Sequence, residues 1–214
     1  MKRMVFTLTA IFLVSLSFGQ SDKYVAAMKR NITMLDSVMI KGNAAELANN
    51  FERIGEAEKT QWLPYYYASY SAILASYSEK DKTKIDGIAD KAQELINKSE
   101  QLAGKENSET AVIESMIAST HLMVDPMSRY MQYGPISSKN IQKAKELDPS
   151  NPRPVYLEGT AKFYTPAAFG GGKAPAEELF KRALTMFATF KPSADLYPTW
   201  GKSSTEYFIA LCEK

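Results

Sequence analysis

The sequence contains one cysteine and one histidine among 214 residues, and this scarcity excludes several classes of protein. Cys212 has no second cysteine to pair with, so no disulfide can form within the chain and the fold must depend on its hydrophobic core. His121 has no cysteine nearby and no acidic residue at the spacing of a helical metal site. It also lacks a serine or cysteine partner in a recognised catalytic motif. We therefore predict no metal site, no catalytic residue and no cofactor.

Cys212 itself allows two interpretations. It follows Phe208 and Leu211 in the last apolar stretch of the chain. An unpaired cysteine most often behaves as a small buried apolar residue, and we favour that role. An intermolecular disulfide or a reactive thiol is the alternative.

A net charge is also missing once the N-terminus is considered separately. The whole chain has 26 Lys and Arg against 24 Asp and Glu. Two of the basic residues, Lys2 and Arg3, precede an uncharged apolar run over residues 4–18, with small residues at Ser17 and Gly19, which is the layout of a secretory signal peptide. Removing them leaves 24 basic residues against 24 acidic ones. A neutral chain lacks the positive surface of a nucleic-acid-binding protein.

The apolar N-terminal run is too short for a membrane-spanning helix, which needs about 20 apolar residues. We therefore predict that residues 1–19 are a cleaved signal peptide and that residues 20–214 form a single domain. The protein is expected to be exported, periplasmic or secreted, with no stable membrane insertion after cleavage.

Signals for β-strands are scarce, because no stretch alternates apolar and polar residues and no Asn-Gly or Asp-Gly hairpin turn occurs. Helical periodicity recurs instead. A segment with two prolines, 125–135, is predicted to be a loop or a broken helix. The periodicity predicts helices at approximately 22–40, 44–59, 62–77, 81–102, 108–124, 137–147, 154–164, 175–190 and 200–212.

The later helices carry a repeated spacing. Ile141, Ala144 and Pro149 match the end of a tetratricopeptide (TPR) unit, in which a small residue packs between two helices and a proline follows the second. Gly159, ten residues after Pro149, is where the next helix pair would approach closely. The set Ala176, Phe180 and Ala183 then repeats the small–large–small pattern of a second helix. The sequence thus predicts an all-α, TPR-like solenoid of about three helix pairs, at 62–102, 108–148 and 153–190. Helices at 22–59 precede these pairs, and a C-terminal capping helix at 200–212 follows them.

The chain resembles the secreted TPR proteins of Bacteroidetes-type bacteria. The resemblance is carried by the export signal ending at Gln20 and by the segments 125–131, 166–173 and 198–201. It implies a helical-repeat fold and an exported protein, and it supplies no catalytic residues. The glycine-rich turn within the third pair is more distantly similar to the T-component proteins of TRAP-type transporters, in which helical repeats enclose a ligand passage.

Two groups of residues are candidates for binding. Five aromatic residues between Trp62 and Tyr70 surround one helix, so they either pack between neighbouring helices or partly line a groove. The resemblance places residues of the 153–164 helix on the concave face of the repeat. The candidates from these groups are Trp62, Tyr66, Tyr70, Arg153, Tyr156 and Phe163.

The glycine-rich turn allows two interpretations. It lacks the strand, the spacing and the Ser or Thr of a phosphate-binding P-loop. It is either a tight turn that requires positive φ, which we favour, or a backbone nest that binds an anion at the start of a helix. The residues concerned are Phe169, Gly170, Gly171, Gly172 and Lys173.

Arg129 lies in the 125–135 segment. We expect a bond to Asp125 or to backbone carbonyls, with an anion site as the alternative.

These residues support two functional hypotheses. The first is an exported, non-catalytic protein that binds a protein or peptide on a concave, aromatic surface. The alternative is a periplasmic small-molecule-binding or transport-accessory protein with a pocket near Trp62, Tyr66, His121 and the glycine-rich turn. An enzyme is disfavoured because no set of titratable residues converges.

Overall fold

A computed structural model describes residues 22–35 and 37–214 of the chain. The predicted signal peptide lies outside these residues. The described part contains ten α-helices and one short 3-10 helix. The α-helices are α1 (Asp22–Leu35), α2 (Val38–Lys41), α3 (Ala44–Glu58), α4 (Leu63–Ser76), α5 (Lys82–Ala103), α6 (Ser108–Val124), α7 (Pro126–Leu147), α8 (Arg153–Tyr164), α9 (Lys173–Thr189) and α10 (Lys202–Cys212).

The helices pack as sequential antiparallel pairs, which confirms the predicted fold class. The pairs are α4 with α5, α6 with α7 and α8 with α9, and α10 packs on α9 as the closing helix. At the other end, α1 packs on α3, and α3 packs on α4. None of the helices in residues 22–35 and 37–214 is long and apolar enough to cross a membrane.

Local signals in the sequence set several helix ends. The Asp81 carboxylate accepts a hydrogen bond from the Thr83 amide at the start of α5, and Gly104 ends that helix at a φ of 70°. At the start of α6, Asn107 and Thr110 form a reciprocal capping box. These caps satisfy backbone groups that would otherwise lack partners at helix ends.

Helices α4 and α6 form the centre of the domain, since side chains on nearly all sides of both are buried. Tyr65, Tyr66 and Tyr67 are consecutive on α4, yet all three are fully buried. Their rings therefore pack towards different neighbouring helices. The aromatic cluster of this helix is thus core packing, one of the two alternatives that the sequence allowed.

Two predicted boundaries were wrong. The segment 125–135 is neither a loop nor a broken helix but the start of the continuous helix α7, because the Asp125 side chain caps the helix and Pro126 occupies its first turn, where no amide donor is needed. Pro135 lies inside the helix on its solvent-exposed side. The predicted first helix ends early, at Leu35, and a separate short helix, α2, follows.

The predicted close approach at Gly159 is confirmed. A Cβ atom at this position would lie 2.6 Å from a ring carbon of Phe180, which is itself fully buried on α9. Only a residue without a side chain allows α8 and α9 to pack this closely.

Candidate functional site

The connection between α9 and α10 packs against α4, and we call its residues 191–201 the strap. The Tyr67 hydroxyl donates a hydrogen bond to the Leu196 carbonyl oxygen at 2.9 Å. The ring of Trp200 stacks on Tyr70 with 4.3 Å between centroids. Its Nε1 donates to the Tyr66 hydroxyl at 2.9 Å. Three tyrosines of α4 thus hold the strap against this helix.

Arg153 anchors the strap from the opposite side. This side chain at the start of α8 is fully buried, and its guanidinium donates to Glu109 at 3.0 Å and to the Pro198 carbonyl oxygen. Glu109 also accepts from the Tyr66 hydroxyl at 3.0 Å. A continuous chain of hydrogen bonds therefore runs from Trp200 through Tyr66, Glu109 and Arg153 back to the strap.

The pKa of Glu109 is raised from its ordinary value, and burial is the largest cause. Burial raises the pKa of Glu109, while the neighbouring guanidinium of Arg153 and the hydrogen bonds from Tyr66 and Asn151 lower it. The carboxylate is desolvated, so it depends on these partners.

The strap closes the part of the concave face in which the sequence placed a peptide site. Tyr66, Tyr70 and Arg153 are buried and hold the strap, and Trp62 packs edge-on against Tyr197. A peptide would have to displace the chain's own residues to reach these side chains. The expectation of an open peptide groove at these positions is therefore not met.

The other end of the helix pairs presents an open aromatic surface, which we call the aromatic end surface. It comprises Tyr77 after α4, Tyr156, Phe163 and Tyr164 on α8, and Tyr207 and Phe208 on α10. Tyr77, Tyr164 and Tyr207 are exposed by 46%, 73% and 61%. These exposed aromatic groups make the surface a candidate for binding.

Phe208 organises the C-terminal half of this surface. Its ring lies 5.3 Å from that of Phe163, 6.2 Å from that of Tyr164 and 6.2 Å from that of Tyr156, measured between centroids. It also stacks on the buried ring of Phe180 at 5.1 Å. The exposed rings thus stand on a packed aromatic base that continues into the core.

The hydroxyl groups of Tyr77, Tyr156 and Tyr164 belong to one neighbourhood. Burial of its hydroxyl end raises the pKa of Tyr77, and the hydroxyls of Tyr156 and Tyr164 raise it further. Burial raises the pKa of Tyr156 to about 12, although a hydrogen bond with Ser204 lowers it. These tyrosines are therefore neutral phenols at physiological pH.

His121 and Arg129 converge on a different residue from those the sequence predicted. His121 Nδ1 lies 2.8 Å from Asp86, and the Arg129 guanidinium donates to both oxygens of Asp86 at 2.6 and 2.8 Å. Arg129 also donates to the His121 carbonyl oxygen, but Asp125, its predicted partner, caps α7 instead. Hydrogen bonds from Arg129 and His121 lower the pKa of Asp86 to about 2.

The predicted pocket that combined Trp62, Tyr66 and His121 does not form. Tyr66 bonds to Glu109 in the first turn of α6, and His121 lies twelve residues further along the same helix. Twelve residues of α-helix extend about 18 Å, so these side chains lie far apart. His121 is instead stacked on Tyr133 at 4.8 Å between ring centroids.

The glycine-rich turn uses its amide groups internally. Gly170, Gly171 and Gly172 donate to the carbonyl oxygens of Ala167, Pro166 and Lys162. Gly170 and Gly172 have φ values of 75° and 105°, so the turn requires glycine for its backbone geometry. An anion nest would need free amides, and these three are occupied. Phe169 in the same turn is 78% exposed, and Lys173 begins α9 at the surface.

Two exposed or charged features were not predicted as sites. Met127, Tyr130 and Met131 form an exposed ridge on the first turns of α7. Glu100, Glu106 and Glu114 come from three successive segments and bring carboxylate oxygens within 4.8 Å of one another. Spacing in the sequence could not reveal either feature. The ridge lies in a segment that was predicted to be a loop or a broken helix. The three carboxylates meet only because α5, α6 and their connection pack together.

The acidic cluster makes a pH-dependence testable. The pKa of Glu114 is raised to about 7 by burial and by the charges of Glu100 and Glu106, against the opposing effect of Lys143. Its ordinary value is 4.5. The unfolded chain therefore loses this proton at lower pH than the folded chain does, and stability falls as pH rises from 4.5 to about 7.

We expect Glu114→Gln to remove this part of the pH-dependence and to stabilise the protein most at pH 8. Urea unfolding of the wild type and the variant at pH 4.5, 6 and 8 measures it. Glu178→Gln, at an exposed position on α9, is the matched control and should leave the slope unchanged. An identical slope in the wild type and the Glu114 variant would contradict the assignment.

The fold and the open surface together define an all-helical binding protein built from stacked helix pairs. A solved structure described as the HusA haemophore from Porphyromonas gingivalis is similar to this chain, with 34% identity and a TM-score of 0.78. The similarity covers 91% of this chain and 95% of that one. The chain therefore belongs to the family of the HusA haemophore. No family model and no curated protein matches it.

Family membership bears on the predicted class of function. A haemophore binds its ligand and does not transform it, which agrees with the prediction that this chain is not an enzyme. The relationship also supports a small ligand more strongly than a protein or peptide partner.

Proposed function

We propose that the chain is an exported protein that binds haem on the aromatic end surface. One observation carries this proposal: three large tyrosine side chains, Tyr77, Tyr164 and Tyr207, are exposed in one neighbourhood, and two of them, Tyr164 and Tyr207, pack on Phe208. The similarity to the HusA haemophore names the class of ligand.

The chemistry of the surface suits a porphyrin. The porphyrin ring is flat and apolar on both faces, and aromatic side chains stack on such rings with offset or edge-on geometry. Covering Tyr77, Tyr164 and Tyr207 would remove apolar area from water, at about 25 cal/mol for each Å². The hydroxyl groups of Tyr164 and Tyr207 would remain at the rim and could bond to the solvent or to the propionate groups.

Several earlier expectations become part of this proposal. Tyr156 and Phe163 belong to the surface, and we propose that Phe169, which is exposed in the following turn, extends it. Cleavage after Gly19, export to the periplasm or outside the cell, and the assignment of the helix pairs to the TPR class are proposed on the sequence evidence. Haem is the cargo of the protein in this account rather than a cofactor.

Spectrophotometric titration of the mature chain with haem tests the proposal. We expect saturable binding, and we expect Tyr164→Ala to weaken it about tenfold, equivalent to about 1.4 kcal/mol, because one stacking ring is lost. Tyr77→Ala should have a similar effect from the other side of the surface.

Tyr130→Ala is the matched control. Tyr130 is 54% exposed on the α7 ridge, so it is as accessible as the residues tested but lies on a different helix. Its replacement should leave haem affinity unchanged. If Tyr130→Ala weakened binding and the two surface variants did not, the ligand surface would be the α7 ridge instead.

A further inference from the structure

The two halves of the aromatic end surface stand on different helices. Tyr77 follows α4, whereas Tyr156, Phe163 and Tyr164 belong to α8, and α6 packs between these two helices. A flat ligand that touches both halves is sensitive to the separation of α4 and α8. Whatever fixes that separation also sets the width of the surface.

The strap contacts both α4 and α8 and so joins them directly. It contacts α4 through Tyr66, Tyr67 and Tyr70 and contacts α8 through Arg153. It also reaches α1, where Lys29 lies 3.4 Å from Asp195. The strap therefore ties the first helices of the domain to its last pair.

The strap acts on the same helix face as the ligand surface. Tyr70 and Tyr77 are seven residues apart, so they lie on the same face of α4 about two turns from each other. Tyr156, the innermost ring of the α8 half, lies three residues from Arg153. A shift of either helix at the strap would therefore move the rings that contact the ligand.

The strap holds one strained residue. Leu196 has a φ of 68°, a left-handed conformation that residues with branched side chains rarely adopt. Such a conformation persists only where the surroundings determine it, and here the Leu196 carbonyl oxygen accepts the hydrogen bond from Tyr67. The contact with Tyr67 thus holds the strap backbone in this conformation at Leu196.

We propose that the strap is a clasp that fixes the separation of α4 and α8, and that Arg153 and Trp200 are positioning residues for the haem surface. They contact no ligand in this account and act through the placement of Tyr77 relative to Tyr164. The inference rests on the proposed haem function, but its effect on helix separation can be measured without haem.

Two variants open the clasp in different ways. Trp200→Leu removes the stacking on Tyr70 and the bond to Tyr66 but leaves the Arg153–Glu109 pair intact. The double variant Arg153→Met/Glu109→Gln removes the ion pair without leaving a buried charge. Trp200→Phe keeps a ring on Tyr70 and serves as the conservative variant. Far-UV circular dichroism establishes that each variant is folded.

The first measurement is haem affinity in a double-mutant cycle. We expect Trp200→Leu to weaken haem binding about tenfold and Trp200→Phe to restore most of it. In a Tyr77→Ala background, Trp200→Leu should have no further effect, because the α4 half of the surface is already absent. If the fold-losses of haem affinity in Tyr77→Ala and Trp200→Leu multiply in the variant that carries both, the positioning role of Trp200 is wrong.

The second measurement is the distance between a spin label in the turn that directly follows α4, at Ser78→Cys, and one on α8, at Ala161→Cys, in a Cys212→Ser background. Both labelled positions are exposed. We expect one narrow distance distribution for the intact clasp and a broader one in both clasp variants. An unchanged distribution would overturn the clasp. Absence of haem binding by the wild type would overturn the proposed function alone, since the distance measurement stands apart from it.

Discussion

Arg153→Met alone should lower the free energy of unfolding by about 3–5 kcal/mol, the largest effect that we expect of a single substitution. The reason is the Glu109 carboxylate, which is buried and loses its charged partner. Tyr66 and Asn151 would still donate hydrogen bonds to it, but two neutral donors do not replace a guanidinium. Urea unfolding at pH 7 measures the loss.

The double variant Glu109→Gln/Arg153→Met separates the charge effect from the loss of packing. It removes both charges, so it should lose clearly less stability than Arg153→Met despite carrying one more substitution. An equal or greater loss in the double variant would show that the pair stabilises the protein through contacts rather than charge compensation.

Gly159→Ala should destabilise the protein by about 1–3 kcal/mol, the second largest effect that we expect. The added Cβ would lie 2.6 Å from the ring of Phe180, and this ring is fully buried and cannot move aside. The α8–α9 pair would have to separate. Because Phe208 stacks on Phe180, we also expect weaker packing beneath the aromatic end surface. Thermal or urea unfolding measures the change.

Gly87→Ala is the matched control for this substitution. Gly87 also lies inside a helix, α5, but nothing is within 4 Å of the position its Cβ would take. The same chemical change there should stabilise the protein by up to about 1 kcal/mol, since alanine favours the helix. If Gly159→Ala raised the free energy of unfolding as Gly87→Ala does, helix propensity rather than close packing would decide the effect at Gly159.

The helix pairs could be predicted because their signals are local. Gly159 is an example, since its place in a repeated spacing predicted the close approach that the structure shows. The Asn107 capping box and the Gly104 stop are set by neighbouring residues as well. Such features depend on contacts within a few residues, which periodicity and spacing describe well.

The strap could not be predicted because its contacts are distant in sequence. Trp200 and Tyr66 are separated by 134 residues, and the segment between α9 and α10 has no periodicity. The same reason explains why Tyr66, Tyr70 and Arg153 were assigned to an open groove. Spacing placed them on the concave face, but it gave no sign that another segment of the chain covers them.

The aromatic end surface was predicted only in part. Tyr156 and Phe163 were candidates because the repeat resemblance placed them on the concave side. Tyr77 was predicted to lie at the end of the helix 62–77, and Phe208 was predicted to lie in the last helix. Nothing in the sequence indicated that these two residues come together. The meeting of α4, α8 and α10 at one end is a tertiary feature, and exposure distinguishes its residues from core aromatics.

The most direct test of the account is an NMR titration of the isotope-labelled chain with a diamagnetic metalloporphyrin, zinc protoporphyrin. The ring current of the bound porphyrin shifts resonances close to its faces. The account predicts shifts at Tyr77, Tyr164 and Tyr207, with those of Tyr130 and Met131 unchanged. Shifts confined to the α7 ridge, or no shifts at saturating porphyrin, would contradict it.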